Sequence, residues 1–297
     1  MIRSTILAAA VAAGLAASSS SAQYVMMPDS TNNRLVLFDP QTGALVNSNY
    51  FALQSGVTPI HAMQVGQEIW ISEQVGDKLA RFDLVGNSLG AVTGGMDNIR
   101  GMGLVNGRVY VTNAGTANGA PGAAVIMFDT AGNNLGFFAT PNAPSPFGIL
   151  NHQGGILVSS SSANDDIHRY SISGVSQGTF HNSTSLNFAE QMDHDHSGNV
   201  LVAGFSSPAG IYTLDANTGA ILSSFTASGA RGVFQLGNGN ILWSNSAGAH
   251  VYDVNTQIST QVYAGGGRYF DLLVIPAPGA AALLGLGALV GGRRRRR

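Results

Sequence analysis

The densest group of chemically capable side chains in this sequence is Asp193-His-Asp-His-Ser-Gly198. Asp193, Asp195 and Ser197 alternate and are followed by Gly198. This reproduces the opening of a calcium loop, where alternate oxygen ligands reach a hard cation around a sharp glycine turn. The bidentate glutamate that closes such a loop belongs at the twelfth position, where this chain has Gly204. A β-hairpin turn accounts for Ser197-Gly198-Asn199 equally well. His194 and His196 could add imidazoles for a transition metal, yet alternation along extended chain points both away from Asp193 and Asp195. One expectation is a divalent ion such as calcium or magnesium at Asp193 and Asp195; the other is a plain hairpin without a cofactor.

A second set is dispersed: His61, Arg100, Glu190, Gln191, Arg231, Tyr269 and Asp271. Two arginines could clamp a carboxylate or sulfate in bidentate fashion. They could equally pair with Glu190 or Asp271 and fill space. Other catalytic templates are missing from the sequence: there is no G-x-S-x-G elbow, no H-E-x-x-H and no phosphate-cradling P-loop.

What joins the dispersed set is its place in an internal repeat. An aromatic or aliphatic residue followed by a turn recurs at Phe38-Asp39, Phe82-Asp83, Phe128-Asp129, Tyr170-Ser171, Leu214-Asp215 and Tyr252-Asp253. The successive spacings are 44, 46, 42, 44 and 38 residues, near the period of roughly 40–45 of a four-stranded propeller blade. Each copy has an inner strand such as 101–105, a tight turn such as Asn106-Gly107, and a strongly apolar second strand such as 108–112. The third strand carries the Phe-Asp signature and a weaker outer strand follows. The second strands (69–71, 109–111, 156–158, 200–202 and 241–243) are apolar throughout, as strands buried on both faces must be. The first copy begins at Tyr24 with a second strand, and one strand, 269–275, is left over after the sixth. Pairing that spare strand with the first copy completes a ring and leaves no unpaired inner edge. The expectation is an all-β, six-bladed β-propeller with four-stranded blades over residues 23–275. Its inner strands and the loops before them would bring the dispersed set to the mouth of a central channel.

Composition agrees. Charged residues are only 10% of the 297, glycine numbers 39 and there is no cysteine, which excludes disulfides and thiolate sites. Setting aside Arg3 and the five arginines Arg293 to Arg297 leaves eight basic against 16 acidic residues, a body of net charge 8 − 16 = −8. Such a body repels phosphate backbones, so no nucleic-acid partner is expected.

The two ends read as addresses. Residues 1–22 have the parts of a secretory signal peptide: Arg3, the apolar stretch 6–17, and Ser20-Ser21-Ala22 as a small-x-small cleavage site. At residues 276–297, Pro276-Ala277-Pro278 precedes an apolar segment of 14 residues and the arginine run. That segment is short of the roughly 20 needed to span a bilayer as a helix, and the arginines stay on the cytoplasmic side. The layout resembles the PEP-CTERM sorting signal of bacterial envelope proteins, with Ala277 where that family usually has Glu. The resemblance implies an exosortase-type sorting protease as partner, cleavage near Pro276, Ala277 and Pro278, and membrane attachment through the tail before processing. A plain C-terminal membrane anchor is the alternative.

The repeated body resembles six-bladed propellers of the NHL, SMP-30 and virginiamycin-lyase-like group, with Asp193 to Val202 similar to that group's recurring hairpin. A lactonase of that kind uses a glutamate early in the first blade, whereas this chain has none before Glu68. A virginiamycin-lyase-like reading needs a histidine and an acid around a divalent ion, for which His61 and Glu190 are the nearest pair. The expected function is an exported, envelope-attached, non-catalytic binding or surface protein, engaging extracellular polysaccharide or a protein partner. The alternative is a metal-dependent lyase or lactonase at the channel mouth.

Overall fold

The Asn106-Gly107 turn shows how the first hairpin of the third copy is built. Both residues take left-handed backbone, with φ of 49° and 73°, as a two-residue hairpin of this hand requires. The flanking segments then pair antiparallel with Val105 opposite Arg108.

The computed structural model describes residues 21–161 and 166–276. Residues 1–20 of the expected leader, and the expected tail after Pro276, lie outside the described residues. Blade 1 contains β1 (Ala22–Asp29), β2 (Arg34–Phe38) and β3 (Leu45–Ala52). Blade 2 is β4 (Pro59–Val65), β5 (Glu68–Glu73), β6 (Lys78–Asp83) and β7 (Ser88–Thr93). Blade 3 is β8 (Ile99–Val105), β9 (Arg108–Asn113), β10 (Ala124–Asp129) and β11 (Asn134–Ala139). Blade 4 is β12 (Pro146–His152), β13 (Gly155–Ser160), β14 (Ile167–Ser171) and β15 (Ser176–His181). Blade 5 is β16 (Ala189–His194), β17 (Val200–Gly204), β18 (Gly210–Leu214) and β19 (Ile221–Thr226). Blade 6 is β20 (Gly232–Gln235), β21 (Ile241–Asn245), β22 (Gly248–Asp253) and β23 (Ile258–Ala264). The last strand, β24 (Asp271–Ile275), lies beside β1 and gives blade 1 the order β24-β1-β2-β3. The protein is a six-bladed, four-stranded, antiparallel β-propeller closed by its final strand.

Burial follows position in the blade. The second strands are buried along most of their length, while the fourth strands are mostly exposed. The core is therefore a set of layers between neighbouring blades. Trp70 and Leu79 of blade 2, for example, pack with Met102, Val109 and Phe128 of blade 3.

The recurring aspartate at the end of the third strand builds the outer turn. The Asp83 carboxylate accepts the Val85 and Asn87 N–H groups and the Asn87 side-chain amide, at 2.8–3.0 Å. Asp129 does the same with Ala131 and Asn133. In blade 4 the Ser171 hydroxyl takes the role, accepting from Ser173 and Val175.

Around the channel the inner strands are tied together by a ring of hydrogen bonds. In four blades a second-strand hydroxyl accepts an N–H from its own inner strand and donates to a carbonyl of the next. Ser72 takes the His61 N–H and gives to Arg100 O; Thr112 takes Gly101 and gives to Phe147 O. Ser159 takes Gly148 and gives to Glu190 O; Ser244 takes Gly232 and gives to Arg268 O. Blades 5 and 1 have Ala203 and Pro28 at this position, opposite Ile211 and Leu35, where Ser72 faces Leu79. There the inner strand donates directly, Gln191 N–H to Arg231 O at 3.2 Å and Tyr269 N–H to Ile60 O at 3.1 Å. The six contacts close the circle. They also require close approach: a Cβ at Gly101, Gly148 or Gly232 would lie 2.4–2.5 Å from the next strand's carbonyl oxygen.

The seam between blades 6 and 1 has its own clamp. The buried Asp29 carboxylate accepts the Tyr263 hydroxyl, the Gly266 N–H at 2.8 Å and the Asn32 side-chain amide at 2.6 Å. Arg34 donates to the Tyr263 hydroxyl at 3.0 Å. Burial alone would raise the Asp29 pKa, but these donors hold it below the usual carboxylate value.

Candidate functional site

The hydrogen-bond ring divides the channel into an upper end, where the inner strands begin, and a lower end. Arg100, Glu190, Arg231 and Arg268 hold equivalent upper positions, since each gives its carbonyl to the ring. Arg100 lies 3.7 Å over the Phe147 ring and donates to Ser145 Oγ and Pro146 O, both at 3.0 Å. Its Nε is buried without a hydrogen-bond partner. Arg231 places Nη1 3.7 Å from Glu190 Oε1 and lies 4.7 Å over Phe205. Arg268 donates to Ser30 Oγ at 2.9 Å.

Three guanidinium groups thus act electrostatically on one carboxylate, with Arg231 paired to it. Burial pushes Glu190 up to about 7 even against the pull of Arg231, Arg268 and Arg100. Burial, with repulsion from Arg231, brings Arg268 down to about 10. A cavity of about 140 Å³ opens between Arg231 and Arg268, rimmed by Ser30, Thr31 and Ser246. Chemically this is a hydroxyl-edged cationic pocket suited to an anionic group. Arg268 was absent from the sequence-derived set. Aligning Arg100-Gly101, Arg231-Gly232 and Arg268-Tyr269 at one repeat position is the signal that finds it.

The residues after these arginines form a waist. Gly101, Gly148 and Gly232 leave room there, and His61, Gln191 and Tyr269 fill it. Tyr269 is buried edge-on to the His61 ring, with centroids 5.7 Å apart. Burial, reinforced by Glu190, raises its hydroxyl pKa well above the ordinary value. Gln191 acts as a peg. Its Oε1 accepts the Val233 and Phe270 N–H groups at 3.1 and 2.9 Å, and its Nε2 donates to Phe270 O at 2.6 Å. These bonds join blade 5 to blades 6 and 1.

Below the waist lies a chamber of about 370 Å³ whose walls come from all six inner strands. Its polar side chains include His61, Asp193 and Asp271, and its apolar lining includes Met102, Phe234 and Phe270. Burial raises both aspartates to about 7, and Asp193 adds a repulsion to Asp271. The Asp271 side chain is 33% exposed, and its setting on the chamber wall, surrounded by protein, explains how it is both accessible and poorly solvated. His61 Nδ1 accepts the Met102 N–H at 3.0 Å, so the neutral ring carries its proton on Nε2. That Nε2 is 3.8 Å from Asp271 Oδ2 and has no hydrogen-bond partner. Burial lowers the His61 pKa to about 4, against the opposing pull of the Phe270 and Met102 backbone.

The set expected at one mouth is therefore split. Arg100, Glu190 and Arg231 sit above the waist, His61, Gln191 and Tyr269 form it, and Asp271 faces the lower chamber. His61 lines the lower chamber and Glu190 does not.

The calcium-like pair of Asp193 and Asp195 is also divided. Asp193 lines the lower chamber. Asp195 instead spends its carboxylate on the hairpin, accepting the Ser197 and Asn199 N–H groups at 2.8 Å and the Asn199 amide at 3.0 Å. This is the hydrogen-bond pattern of Asp83 with Asn87, so the hairpin reading describes Asp195. Among the described residues, no three His, Asp or Glu side chains stand close enough together to hold a metal ion.

No protein-family model matches the chain, and no curated protein does. Solved structures do. A protein of unknown function from Bacteroides caccae is 16% identical with a TM-score of 0.61, covering 85% of this chain and 98% of its own. A chain of a nidogen/laminin complex is 9% identical with a TM-score of 0.69, covering 84% and 98%. A virginiamycin B lyase from Staphylococcus aureus is 13% identical with a TM-score of 0.59, covering 87% and 94%. What is shared is the fold. At such identities one scaffold hosts unrelated activities, so the chemistry rests on this chain's own residues.

Proposed function

We propose that the protein is an exported, envelope-attached binding propeller that captures an anionic group of an extracellular polysaccharide or surface protein at its upper end. The observation that carries this reading is the surplus of guanidinium over carboxylate around Glu190. Arg100, Arg231 and Arg268 all act on that one acid, and Arg231 and Arg268 border an open cavity. An uncompensated cationic pocket in a body of net negative charge is suited to a carboxylate or sulfate. The leader and the tail support export and processing by an exosortase-type protease, through the resemblance carried by Pro276, Ala277 and Pro278. No observation favours the lyase or lactonase alternative.

The binding reading is tested by titrating sulfate and an oligogalacturonate into the purified propeller. Arg231→Ala and Arg268→Ala should each weaken binding at least tenfold, and Arg100→Ala should weaken it as well. Unchanged affinity in all three variants would refute the clamp. Mass spectrometry of the mature protein from its native envelope tests the ends, with chain termini expected at Gln23 and near Pro276.

A further inference from the structure

The lower chamber has chemistry opposite to that of the arginine pocket. Asp193 from β16 and Asp271 from β24 bring two carboxylates to one cavity, close enough for one to raise the pKa of the other. The cavity, about 370 Å³, lies within the range of small-molecule sites, roughly 300–1,000 Å³. A second, independent feature points to a ligand. His61 is 6% exposed, its ring borders the chamber, and its Nε2–H lacks an acceptor. The rest of the wall mixes apolar residues, Leu104, Leu150 and Phe234 among them, with Gln64 and Asn151.

We infer that this chamber binds a small organic ammonium ion, with its charge between Asp193 and Asp271 and its apolar body against Leu104, Leu150 and Phe234. The carboxylates accept the ammonium protons as charge-assisted hydrogen bonds. The Phe234 ring adds cation–π attraction. A metal ion fits less well, because no three metal-ligating side chains converge among the described residues. The inference stands apart from the anion reading, since it uses none of the three arginines.

Occupancy should depend on pH, because an ammonium ion prefers ionised carboxylates. Of the six strands around the chamber, β4 contributes His61, β16 Asp193 and β24 Asp271 as titratable groups. The residues supplied by β8, β12 and β20, such as Met102, Asn151 and Phe234, do not titrate. His194, next to Asp193, stacks on His152 instead.

The test is calorimetric titration of benzylamine into the propeller, with benzyl alcohol as the uncharged counterpart. Saturable binding of benzylamine at pH 8 is expected, at least tenfold weaker at pH 5.5, with benzyl alcohol at least tenfold weaker at both. Asp193→Asn and Asp271→Asn should each cost at least tenfold, whereas Asp253→Asn in an outer turn should change nothing. Equal binding of the amine and the alcohol, no saturable binding at pH 8, or full affinity in the Asp193→Asn, Asp271→Asn double variant would overturn the inference. The comparisons of pH and of amine with alcohol use the unaltered protein, so they decide the matter even if a variant fails to fold. Loss of sulfate binding in Arg231→Ala leaves these readings untouched and separates the two sites.

Discussion

Thr112 shows how one hydroxyl holds two blades. It satisfies the buried Gly101 N–H and the buried Phe147 carbonyl at once, at 2.9 and 2.8 Å. Thr112→Val keeps the shape and strands both groups, so it should destabilise by about 1–3 kcal/mol in urea unfolding. Ala203→Ser is the informative contrast. In blade 5 the Gln191 N–H already reaches Arg231 O, so an added hydroxyl would find those groups engaged and should give no gain. Gly101→Ala should be more damaging than either, since its Cβ would sit 2.4 Å from Phe147 O and backbone cannot retreat cheaply. Residue types alone could not reveal this. Ser72, Thr112, Ser159 and Ser244 are ordinary strand residues until the neighbouring blade supplies a carbonyl.

At the scale of the strands, the inner β4, β16 and β24 carry the channel groups whose large shifts fall between pH 4 and 7, and the pH dependence follows from them. Glu190 has a pKa of about 7 in place of 4.5, and Asp193 and Asp271 have about 7 in place of 3.8. Between those limits the folded state holds protons that the unfolded chain releases, so stability falls as pH rises through the window. His61 acts oppositely. Its pKa is about 4 in place of 6.5, so the unfolded chain binds the extra proton and stability rises with pH over that range. Burial lowers His152, His194 and His250 as well, which adds to the opposing slope. The three large acid shifts outweigh these and predict a net decline in urea midpoint from pH 4.5 to 7.5, and Glu190→Gln should flatten part of it. A rising midpoint in the unaltered protein would contradict the burial of these acids. The strand pattern itself was readable from apolar runs and from turns in which Gly follows Asp by three or four residues. The Asp195 hairpin was half-readable, because its Asp-x-x-Gly-Asn spacing repeats that of Asp83-x-x-Gly86-Asn87.

For the whole molecule, closure depends on β24 beside β1 and on the Asp29 clamp. Asp29→Ala removes the acceptor of the Tyr263 hydroxyl and the Gly266 N–H together, and should cost on the order of 3 kcal/mol. Because its donors hold the Asp29 pKa below the ordinary 3.8, the clamp's contribution is complete above that pH and is lost as the pH falls below it. Removing residues 269–297 should do more, leaving blade 1 with three strands and an open inner edge. Thermal unfolding followed by circular dichroism should then begin well below that of the full chain and lose its single sharp transition. A truncated protein that melts like the full chain would mean that the last strand does not close the ring.

The sequence by itself determined the number of blades, their four-strand order and the need for the final strand to return to the first. Those features follow from local rules: turn residues at a fixed period, apolar runs where both faces are covered, and a complementary deficit at the two ends. Only the tertiary structure decided which polar residues meet. Arg268 joins Arg100 and Arg231 because three blades bring one repeat position to the same level, and Asp195 leaves Asp193 because a hairpin turn uses its oxygens. The waist of His61, Gln191 and Tyr269 then separates a cationic end from an acidic one. Side-chain direction across a ring depends on the distance between neighbouring strands, and that distance is set by glycines and hydroxyls far apart in the chain.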